Sequence, residues 1–315
     1  MRIAVLDDWQ NIARTVADWA PLEARAELVI FNEAFTSAAN AAEALKDFDI
    51  LMVMRERTAF PASLIAALPK LKLFVMTGRR AGSIDFEALQ ARNIAIAYCD
   101  GINSASATSE LALGLMLSAA RGLPAADANI REGGFQAGIP VGFQLAGKTI
   151  GIIGLGRLGS KMAAYATALD MKVIAWSPNL TAEKAAASGA VLVTKEQLLR
   201  DSDVVSLHVV LNAESRNLIG EAELTQMRQN AILINTSRGP LINEAALIKA
   251  LQAQKIIAAL DVYDSEPLAS DHPLRGLPNT ILTPHLGYAT GEVVAAFYRD
   301  GIKHMLVFLD NAALT

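Results

Sequence analysis

The chain is poor in the residues that build disulfide frameworks and metal sites. Its 315 residues include one cysteine, Cys99, and four histidines. A single cysteine cannot form an internal disulfide, and this usage is typical of a reducing compartment. We therefore expect a soluble, cytoplasmic protein with no bound metal, in which Cys99 is a buried structural thiol.

An excess of positive charge and long apolar runs are also missing. Lysine and arginine total 28 against 32 acidic residues, for a net charge of −4, whereas a nucleic-acid surface requires a basic stripe. No stretch approaches the roughly 18 apolar residues that cross a bilayer. The first apolar run is broken by Asp7 and Asp8, which predicts a strand with a solvated end and not a signal peptide. Nucleic acid and membrane are therefore excluded as partners.

What the chain has is a regular alternation of short apolar runs with longer helical patterns. This alternation is typical of parallel sheets covered by helices, and the length suits two domains. The first series of predicted strands is Ile3–Leu6, Glu27–Phe31, Ile50–Met54, Lys72–Met76 and Ile94–Ala97. The second series is Thr149–Ile153, Val173–Ala175, Val191–Val193, Val204–His208, Ala231–Asn235, Ile257–Asp261 and Thr280–Thr283.

Two helical patterns join these series. One runs from Ser106 to Ala120, before the second sheet, and the other from Gly291 to Leu309, after that sheet is complete. We expect the last helix to return to the first domain. The predicted fold class is α/β, with two doubly wound parallel-sheet domains, and residues 101–286 are inserted between 1–100 and 287–315.

A glycine loop follows the first strand of the second series. Gly154, Gly156 and Gly159 form a G-x-G-x-x-G that opens a helical pattern. The first glycine allows a tight turn, the second lets backbone approach a pyrophosphate, and the third lets helix and strand pack closely. The free N–H groups of the helix N-terminus favour the phosphates. A glycine-rich turn without a ligand is the alternative, and the strand-loop-helix context favours a dinucleotide.

The choice between the two nicotinamide cofactors depends on the end of the next strand. NAD sites usually place an acidic residue there to bind the ribose hydroxyls. Ser177 stands at this position, and no cation lies between it and Lys184 to bind a 2′-phosphate. We favour NAD, and NADP stays open because Ser177 does not repel it.

Polar loops follow three strands of the second series. They begin at Asn235, Asp261 and Thr283, and they carry an arginine, a glutamate and a histidine. Ligands bind at the carboxyl ends of strands in such sheets. Each residue alone is equally consistent with a surface loop. Their joint occurrence at strand ends indicates a catalytic site.

These segments resemble the D-isomer-specific 2-hydroxyacid dehydrogenase family, which includes 3-phosphoglycerate dehydrogenase, glyoxylate/hydroxypyruvate reductase and D-lactate dehydrogenase. The resemblance is carried by GKTIGIIGLGRLG, INTSRGPLINEAAL, ALDVYDSEP and TPHLG, in matching order and spacing. It implies a Rossmann NAD-binding domain inserted into a smaller, flavodoxin-like substrate domain. It also implies hydride transfer between a nicotinamide cofactor and a small D-2-hydroxy or 2-keto acid, of the 3-phosphoglycerate, hydroxypyruvate or glyoxylate class.

The resemblance also implies roles for individual residues. Arg238 would bind the substrate carboxylate, His285 would be the acid/base, and Glu266 would orient it. The implied cofactor contacts, beyond the glycines and Ser177, are Thr108, Arg157, Leu158, Thr236, Ser237 and Asp261. The implied substrate contacts, beyond Arg238, are Arg55, Gly78 and Arg79, with Arg80 interpreted as a surface residue.

One residue beside the predicted acid/base departs from the family pattern. Tyr288 stands where a small residue is usual and is expected to narrow the pocket beside His285.

A non-catalytic, dinucleotide-sensing corepressor on the same fold is the alternative function. Formate dehydrogenase is disfavoured because it has glutamine at the place of Glu266. The resemblance further implies a homodimer formed through the dinucleotide domain.

Overall fold

The structure is a computed structural model that describes residues 1–79 and 81–312. The chain divides into two compact units. Unit 1 contains residues 1–103 and the chain from 290 onward, and unit 2 contains Ser104–Ala289. Each unit is an α/β domain built around its own parallel sheet.

Unit 1 has a parallel sheet in the order β2-β1-β3-β4-β5, which is the flavodoxin-like order. The two central strands β3 and β4 are buried along their whole length, because helices cover both faces. The strands are β1 (Arg2–Val5), β2 (Glu27–Ile30), β3 (Ile50–Val53), β4 (Leu73–Thr77) and β5 (Ala95–Cys99). The helices between them are α1 (Ala13–Val16), α2 (Ala20–Glu23), α3 (Ala38–Leu45), α4 (Ala62–Ala66) and α5 (Phe86–Ala91).

Unit 2 has a parallel sheet in the order β12-β11-β10-β9-β6-β7-β8. The order reverses between β6 and β9, and this is where a doubly wound sheet binds its ligand. The strands are β6 (Thr149–Ile153), β7 (Lys172–Trp176), β8 (Val191–Leu192), β9 (Val204–Leu207), β10 (Ala231–Asn235), β11 (Ile256–Leu260) and β12 (Thr280–Leu282). The helices are α6 (Ala105–Arg121), α7 (Leu123–Arg131), α8 (Arg157–Ala168), α9 (Ala182–Ala187), α10 (Lys195–Asp201), α11 (Glu221–Gln226) and α12 (Glu244–Gln252).

The last helix, α13 (Gly291–Ala312), packs on β4 and β5 of unit 1, as expected from its position after the second sheet. The predicted fold class is confirmed, and every predicted strand is present with ends shifted by no more than two residues. Helix α7 was not predicted, and none of its residues is buried, so it does not contribute to the core of unit 2. Within the described part of the chain, no helix is long and apolar enough to cross a membrane.

The prediction that Asp7 and Asp8 form a solvated strand end is wrong. Both side chains are buried, with relative exposures of 1% and 3%. Asp8 accepts hydrogen bonds from the N–H groups of Ile12 and Ala13, and Asp7 accepts one from the Thr58 hydroxyl at 2.7 Å. The second carboxyl oxygen of Asp7 has no hydrogen-bond partner among the described residues. Burial raises the pKa of Asp7 to about 6, against the hydrogen bond from Thr58, which lowers it.

This buried carboxyl makes the stability of unit 1 depend on pH. Because the folded-state pKa of Asp7 is raised, protonation of Asp7 increases the free energy of unfolding. This stabilisation is complete below the unfolded-state pKa of 3.8 and is lost as pH rises through about 6. We expect the free energy of unfolding of Asp7→Asn, relative to the unsubstituted protein, to increase by about 1–2 kcal/mol between about pH 5 and pH 8. Urea denaturation at the two pH values measures this difference.

The exposed carboxylate of Glu87 on α5 provides the control. Glu87→Gln removes a carboxylate from an exposed position, so any pH dependence that it shares with Asp7→Asn is not specific to the buried carboxyl. A difference for Asp7→Asn that stays constant with pH would contradict a raised pKa.

Candidate functional site

Three loops of unit 2 leave the same edge of its sheet. They follow β10, β11 and β12, which are adjacent parallel strands in register, so their carboxyl ends lie side by side. The loops carry Arg238, Glu266 and His285, respectively. The topology of the sheet therefore brings together residues that are 28 and 19 positions apart in the chain.

The imidazole of His285 is hydrogen-bonded to Glu266. The distance from Nδ1 to Oε2 is 2.6 Å, and 26% and 29% of the two side chains are exposed. A carboxylate at Nδ1 fixes the ring tautomer with hydrogen on that nitrogen and leaves Nε2 for exchange of a proton. The pair has the geometry of an oriented acid/base.

The environment of Glu266 keeps it ionised. Burial tends to raise the pKa of this carboxyl, but the hydrogen bond and charge of His285, the N–H of Tyr263 and the charge of Arg238 lower it to below its usual value. The N–H of Tyr263 donates to the other oxygen, Oε1, at 3.0 Å. Both carboxyl oxygens of Glu266 are therefore hydrogen-bonded, and its side chain has a defined position.

Asp261 organises the turn that carries His285, which we name the histidine turn (residues 283–288). Its Oδ1 accepts the Thr283 hydroxyl at 2.6 Å and the N–H of Leu286 at 2.7 Å, and Oδ2 accepts the N–H of Gly287 at 2.8 Å. Its backbone carbonyl accepts the N–H of His285. These bonds hold His285 at φ +54, a left-handed conformation that is uncommon for a residue with a side chain.

Burial raises the pKa of Asp261, and these three hydrogen bonds to the carboxylate work against the rise. The resemblance implied that Asp261 contacts the cofactor. In the structure, both of its oxygens are hydrogen-bonded to the histidine turn.

The loop that carries Arg238 is closed by Asn235. The side chain of Asn235 accepts from the N–H of Ser237 and donates to the carbonyl of Arg238, which is an Asx-type turn. At Gly239 an added Cβ would lie 2.0 Å from the carbonyl carbon of Tyr263. The absence of a side chain at this position thus allows the arginine loop and the glutamate loop to pack against each other.

The glycine loop has the shape that a dinucleotide requires. Gly154 has φ +97, and a Cβ there would lie 2.7 Å from the carbonyl oxygen of His208. A Cβ on Gly159 would lie 2.1 Å from the carbonyl oxygen of Gly154. Gly156 is exposed, and nothing lies within 4 Å of its Cβ position, so its backbone is open to a phosphate. The loop opens α8, whose twelve residues give the N–H groups and dipole that favour an anion.

The other predicted cofactor residues differ in their contacts and in their exposure to solvent. Thr108, on the first turn of α6, lies against Gly287, and the neighbouring Ser109 is within 3.3 Å of the carbonyl of Leu158. The Thr236 hydroxyl is buried without a hydrogen-bond partner among the described residues. The Ser237 hydroxyl donates to the carbonyl of Leu207. Arg157 is exposed at the start of α8, and Ser177 is half-buried after β7.

His208 follows β9, beside the glycine loop, and is neutral. Burial lowers the pKa of its imidazole to about 4, and Nε2 is 2.9 Å from the hydroxyl of Ser206. Within residues 1–79 and 81–312, no group of three or more His, Cys, Asp or Glu side chains is placed to hold a metal ion.

The predicted substrate residues of unit 1 occupy the ends of β3 and β4. The guanidinium of Arg55 lies 3.8 Å from the Cβ position of Gly78, and the Arg55 N–H donates to the hydroxyl of Thr77. Arg79 forms two hydrogen bonds, 2.7 and 2.8 Å long, with the carboxylate of Asp100. The contact with Asp100 uses two of the five guanidinium N–H groups of Arg79. Arg80 lies outside the described residues.

Two contributors to the site were missed from the sequence. Tyr263 donates its N–H to Glu266 and its hydroxyl to the carbonyl of Thr283, so it links the glutamate loop to the histidine turn. Asn235 closes the arginine loop. The Asn-x-Ser pattern after a strand was a usable signal for an Asx turn, whereas nothing in the sequence indicates the target of the tyrosine hydroxyl.

Substitution of Gly156 and of Gly159, the last two glycines of the loop, provides a paired test of cofactor binding. Gly156→Ala adds a methyl group where only a ligand would be, so we expect NADH affinity to fall at least about tenfold while the thermal midpoint changes by about 2 °C or less. Gly159→Ala places its Cβ 2.1 Å from a carbonyl oxygen and should destabilise the fold by roughly 3 kcal/mol. Fluorescence titration with NADH and thermal unfolding provide the two measurements. Unchanged NADH affinity in Gly156→Ala would rule out phosphate binding at this backbone.

Comparison with known proteins places this geometry in a family. The model of the D-isomer specific 2-hydroxyacid dehydrogenase, NAD binding domain, matches residues 113–287. D-3-phosphoglycerate dehydrogenase of Archaeoglobus fulgidus is 40% identical over 242 residues, which cover 76% of this chain and 46% of that protein. Glyoxylate reductase of Thermococcus litoralis is 38% identical over 253 residues, covering 78% and 76%.

The chain spans about half the length of the phosphoglycerate dehydrogenases that it matches. Among solved structures, a phosphoglycerate oxidoreductase from Vibrio cholerae o395 superposes with a TM-score of 0.93 at 31% identity and covers 99% of both chains. The family model, the sequence relatives and the fold agree. The chain belongs to the D-isomer specific 2-hydroxyacid dehydrogenase family.

Proposed function

We propose that this protein is an oxidoreductase that transfers a hydride between a nicotinamide cofactor and C2 of a small D-2-hydroxy or 2-keto acid. The observation that carries the proposal is the 2.6 Å hydrogen bond between Glu266 and His285, at the carboxyl edge of a dinucleotide-binding sheet. Arg238 stands on the adjacent loop, near enough for its charge to lower the pKa of Glu266. These are the three groups that the reaction requires.

Arg238 binds the substrate in this proposal. Its planar guanidinium is suited to two parallel hydrogen bonds with the carboxylate of a 2-keto acid, which fix the position of the neighbouring carbonyl. The cofactor, when bound, supplies the hydride to C2 in reduction and accepts it in oxidation. Positioning by the arginine thus sets the distance over which the hydride moves.

His285 moves the proton. In reduction, protonated His285 gives the proton on Nε2 to the carbonyl oxygen as C2 receives the hydride, and the product is the 2-hydroxy acid. In oxidation, neutral His285 takes the proton of the hydroxyl. Glu266 accepts the Nδ1–H throughout, and its negative charge stabilises the imidazolium that each cycle requires.

The substrate class is proposed from the relatives. Their names indicate glyoxylate and 3-phosphoglycerate, and hydroxypyruvate is the intermediate-sized acid of the same type. Arg55, Gly78 and Arg79 of unit 1 stay predicted substrate contacts, and unit 1 is proposed as the substrate domain. Arginines at the strand ends of unit 1 suit an acid with a second polar or anionic group.

NAD is the proposed cofactor, held by the glycine loop with Arg157 and Leu158, and by Thr108, Ser177, Thr236 and Ser237. Ser177 accepts the N–H of Leu180 with its backbone, so its side chain lies at a tight turn after β7. A hydroxyl at this place can bind the ribose of NAD, and no nearby cation in the sequence favours the phosphate of NADP.

We also propose a homodimer formed through unit 2, as the family resemblance implies. The region from α7 to the following loop supports it, because exposed apolar side chains are concentrated there. They are Leu123, Ile130, Phe135 and Val141, with relative exposures of 49%, 52%, 75% and 99%. A second copy of the chain bound to this region would remove these side chains from water.

A panel of acids with both cofactors tests the function. We expect oxidation of NADH in the presence of glyoxylate or hydroxypyruvate, with slower oxidation when pyruvate is the substrate, and a kcat/KM for NADH at least about tenfold above that for NADPH. Absorbance at the nicotinamide band measures the rate. Binding of NADH without turnover of any acid in the panel, 3-phosphoglycerate with NAD included, would instead support a dinucleotide-sensing protein.

Substitution of the proposed binding and catalytic residues should separate KM from kcat. Arg238→Ala removes the carboxylate contact, so we expect KM for the keto acid to rise about hundredfold. His285→Ala removes the proton donor, so we expect kcat to fall by roughly 10² to 10⁴. Steady-state kinetics with the best acid of the panel measures both.

His272 provides a matched control, because its Nε2 lies 3.2 Å from Glu244 in a second histidine–glutamate pair of unit 2. His272→Ala should leave kcat within about twofold. Normal turnover by His285→Ala would overturn the assignment of the acid/base.

A further inference from the structure

The imidazole of His285 contacts a second side chain in addition to Glu266. The rings of His285 and Tyr288 are 6.0 Å apart between centroids, with an angle of 76° between their planes. This is an edge-to-face arrangement, which aromatic rings favour over a face-to-face stack. Tyr288 has a relative exposure of 5%, so its ring is held in packed surroundings.

The backbone of the histidine turn holds the points from which the side chains of His285 and Tyr288 leave the chain. Asp261 accepts hydrogen bonds from Thr283, Leu286 and Gly287, on both sides of His285. The N–H of Ala289 closes the turn on the carbonyl of Leu286 at 2.8 Å. The separation of the two Cα atoms is therefore set by a turn that is hydrogen-bonded on both sides of His285.

Gly287 tightens this arrangement further. A Cβ at this residue would lie 3.2 Å from Oδ2 of Asp261 and 3.2 Å from the methyl group of Thr108. The turn is thus pressed against two neighbours at the residue directly before Tyr288. The side chain of Tyr288 therefore begins next to a backbone position that is closely packed against Asp261 and Thr108.

The hydrogen bond to Glu266 orients the imidazole at one edge of the ring. A single hydrogen bond tolerates a range of angles, and 26% of the His285 side chain is exposed. Proton transfer requires that Nε2 also keep its direction, because displacement of a reacting group by about 1 Å can cost a hundredfold in rate. A second contact on the ring narrows this range of angles.

We propose that Tyr288 is the positioning residue that supplies this second contact and keeps Nε2 of His285 directed at the substrate oxygen. The inference rests on the proposed function, because the direction of Nε2 matters only if His285 transfers a proton. The ring of Tyr288, and not its hydroxyl, is the group that performs this task.

Two substitutions of Tyr288 test the inference. Tyr288→Ala removes the ring, so kcat with glyoxylate and NADH should fall about tenfold, while KM for glyoxylate and the affinity for NADH stay within about twofold. Tyr288→Phe keeps the ring and should retain kcat within about twofold. Should Tyr288→Ala not fold, Tyr288→Leu fills the volume without an aromatic face and should show the same loss of kcat.

A rise in KM for glyoxylate with unchanged kcat in Tyr288→Ala would overturn the inference, because the ring would then be a substrate contact. Equal loss in Tyr288→Phe and Tyr288→Ala would overturn it as well, since the hydroxyl would be the active group.

Side-chain ¹³C relaxation of the His285 ring gives a readout that does not need turnover. The ring should be more mobile in Tyr288→Ala than in Tyr288→Phe, and equal mobility would contradict the inference. If the unsubstituted protein reduced no acid while its His285 ring showed this difference, the proposed function would fail and the contact between the rings would stand.

Discussion

The site depends on one buried carboxylate, that of Asp261, at the end of β11. A parallel sheet brings its strand ends to a common edge, but it leaves the loops beyond that edge free to take many shapes. Asp261 removes this freedom by accepting a hydroxyl and two N–H groups from the loop after the neighbouring strand β12. The desolvation of a carboxylate is costly, and the hydrogen bonds that it accepts are the compensation.

The same principle operates in the other two loops that carry proposed catalytic residues. Asn235 closes the arginine loop on itself, and Gly239 allows the loop of Tyr263 to approach within contact of its backbone. Tyr263 then donates one hydrogen bond to Glu266 and another to the loop of His285. The arginine loop is closed by its own Asn235, whereas the glutamate loop is bonded to the loop of His285, so the positions of Arg238, Glu266 and His285 depend on contacts along this edge of the sheet.

Charge and burial give the two carboxylates of this edge different properties. Glu266 is partly exposed and lies beside His285 and Arg238, which lower the pKa of its carboxyl. Asp261 is buried, and burial raises its pKa although it accepts three hydrogen bonds. One carboxylate is suited to interact with a changing charge on imidazole, and the other holds a backbone conformation. Sequence motifs contain both residues and do not distinguish these two uses.

The sequence by itself determined the fold class, the order of the strands along the chain, the glycine loop and the family, because local apolar periodicity and ordered motifs are properties of short segments. It did not indicate helix α7, whose residues are all at least partly exposed, nor the burial of Asp7 and Asp8, which follows from packing around the end of β1. Only the tertiary structure decided that Asp261 holds the histidine turn. The same is true of the hydrogen bond from the Tyr263 hydroxyl to Thr283 and of the edge-to-face contact between Tyr288 and His285. The physical reason is that hydrogen bonds and ring contacts between neighbouring strand ends depend on distances that no single segment contains.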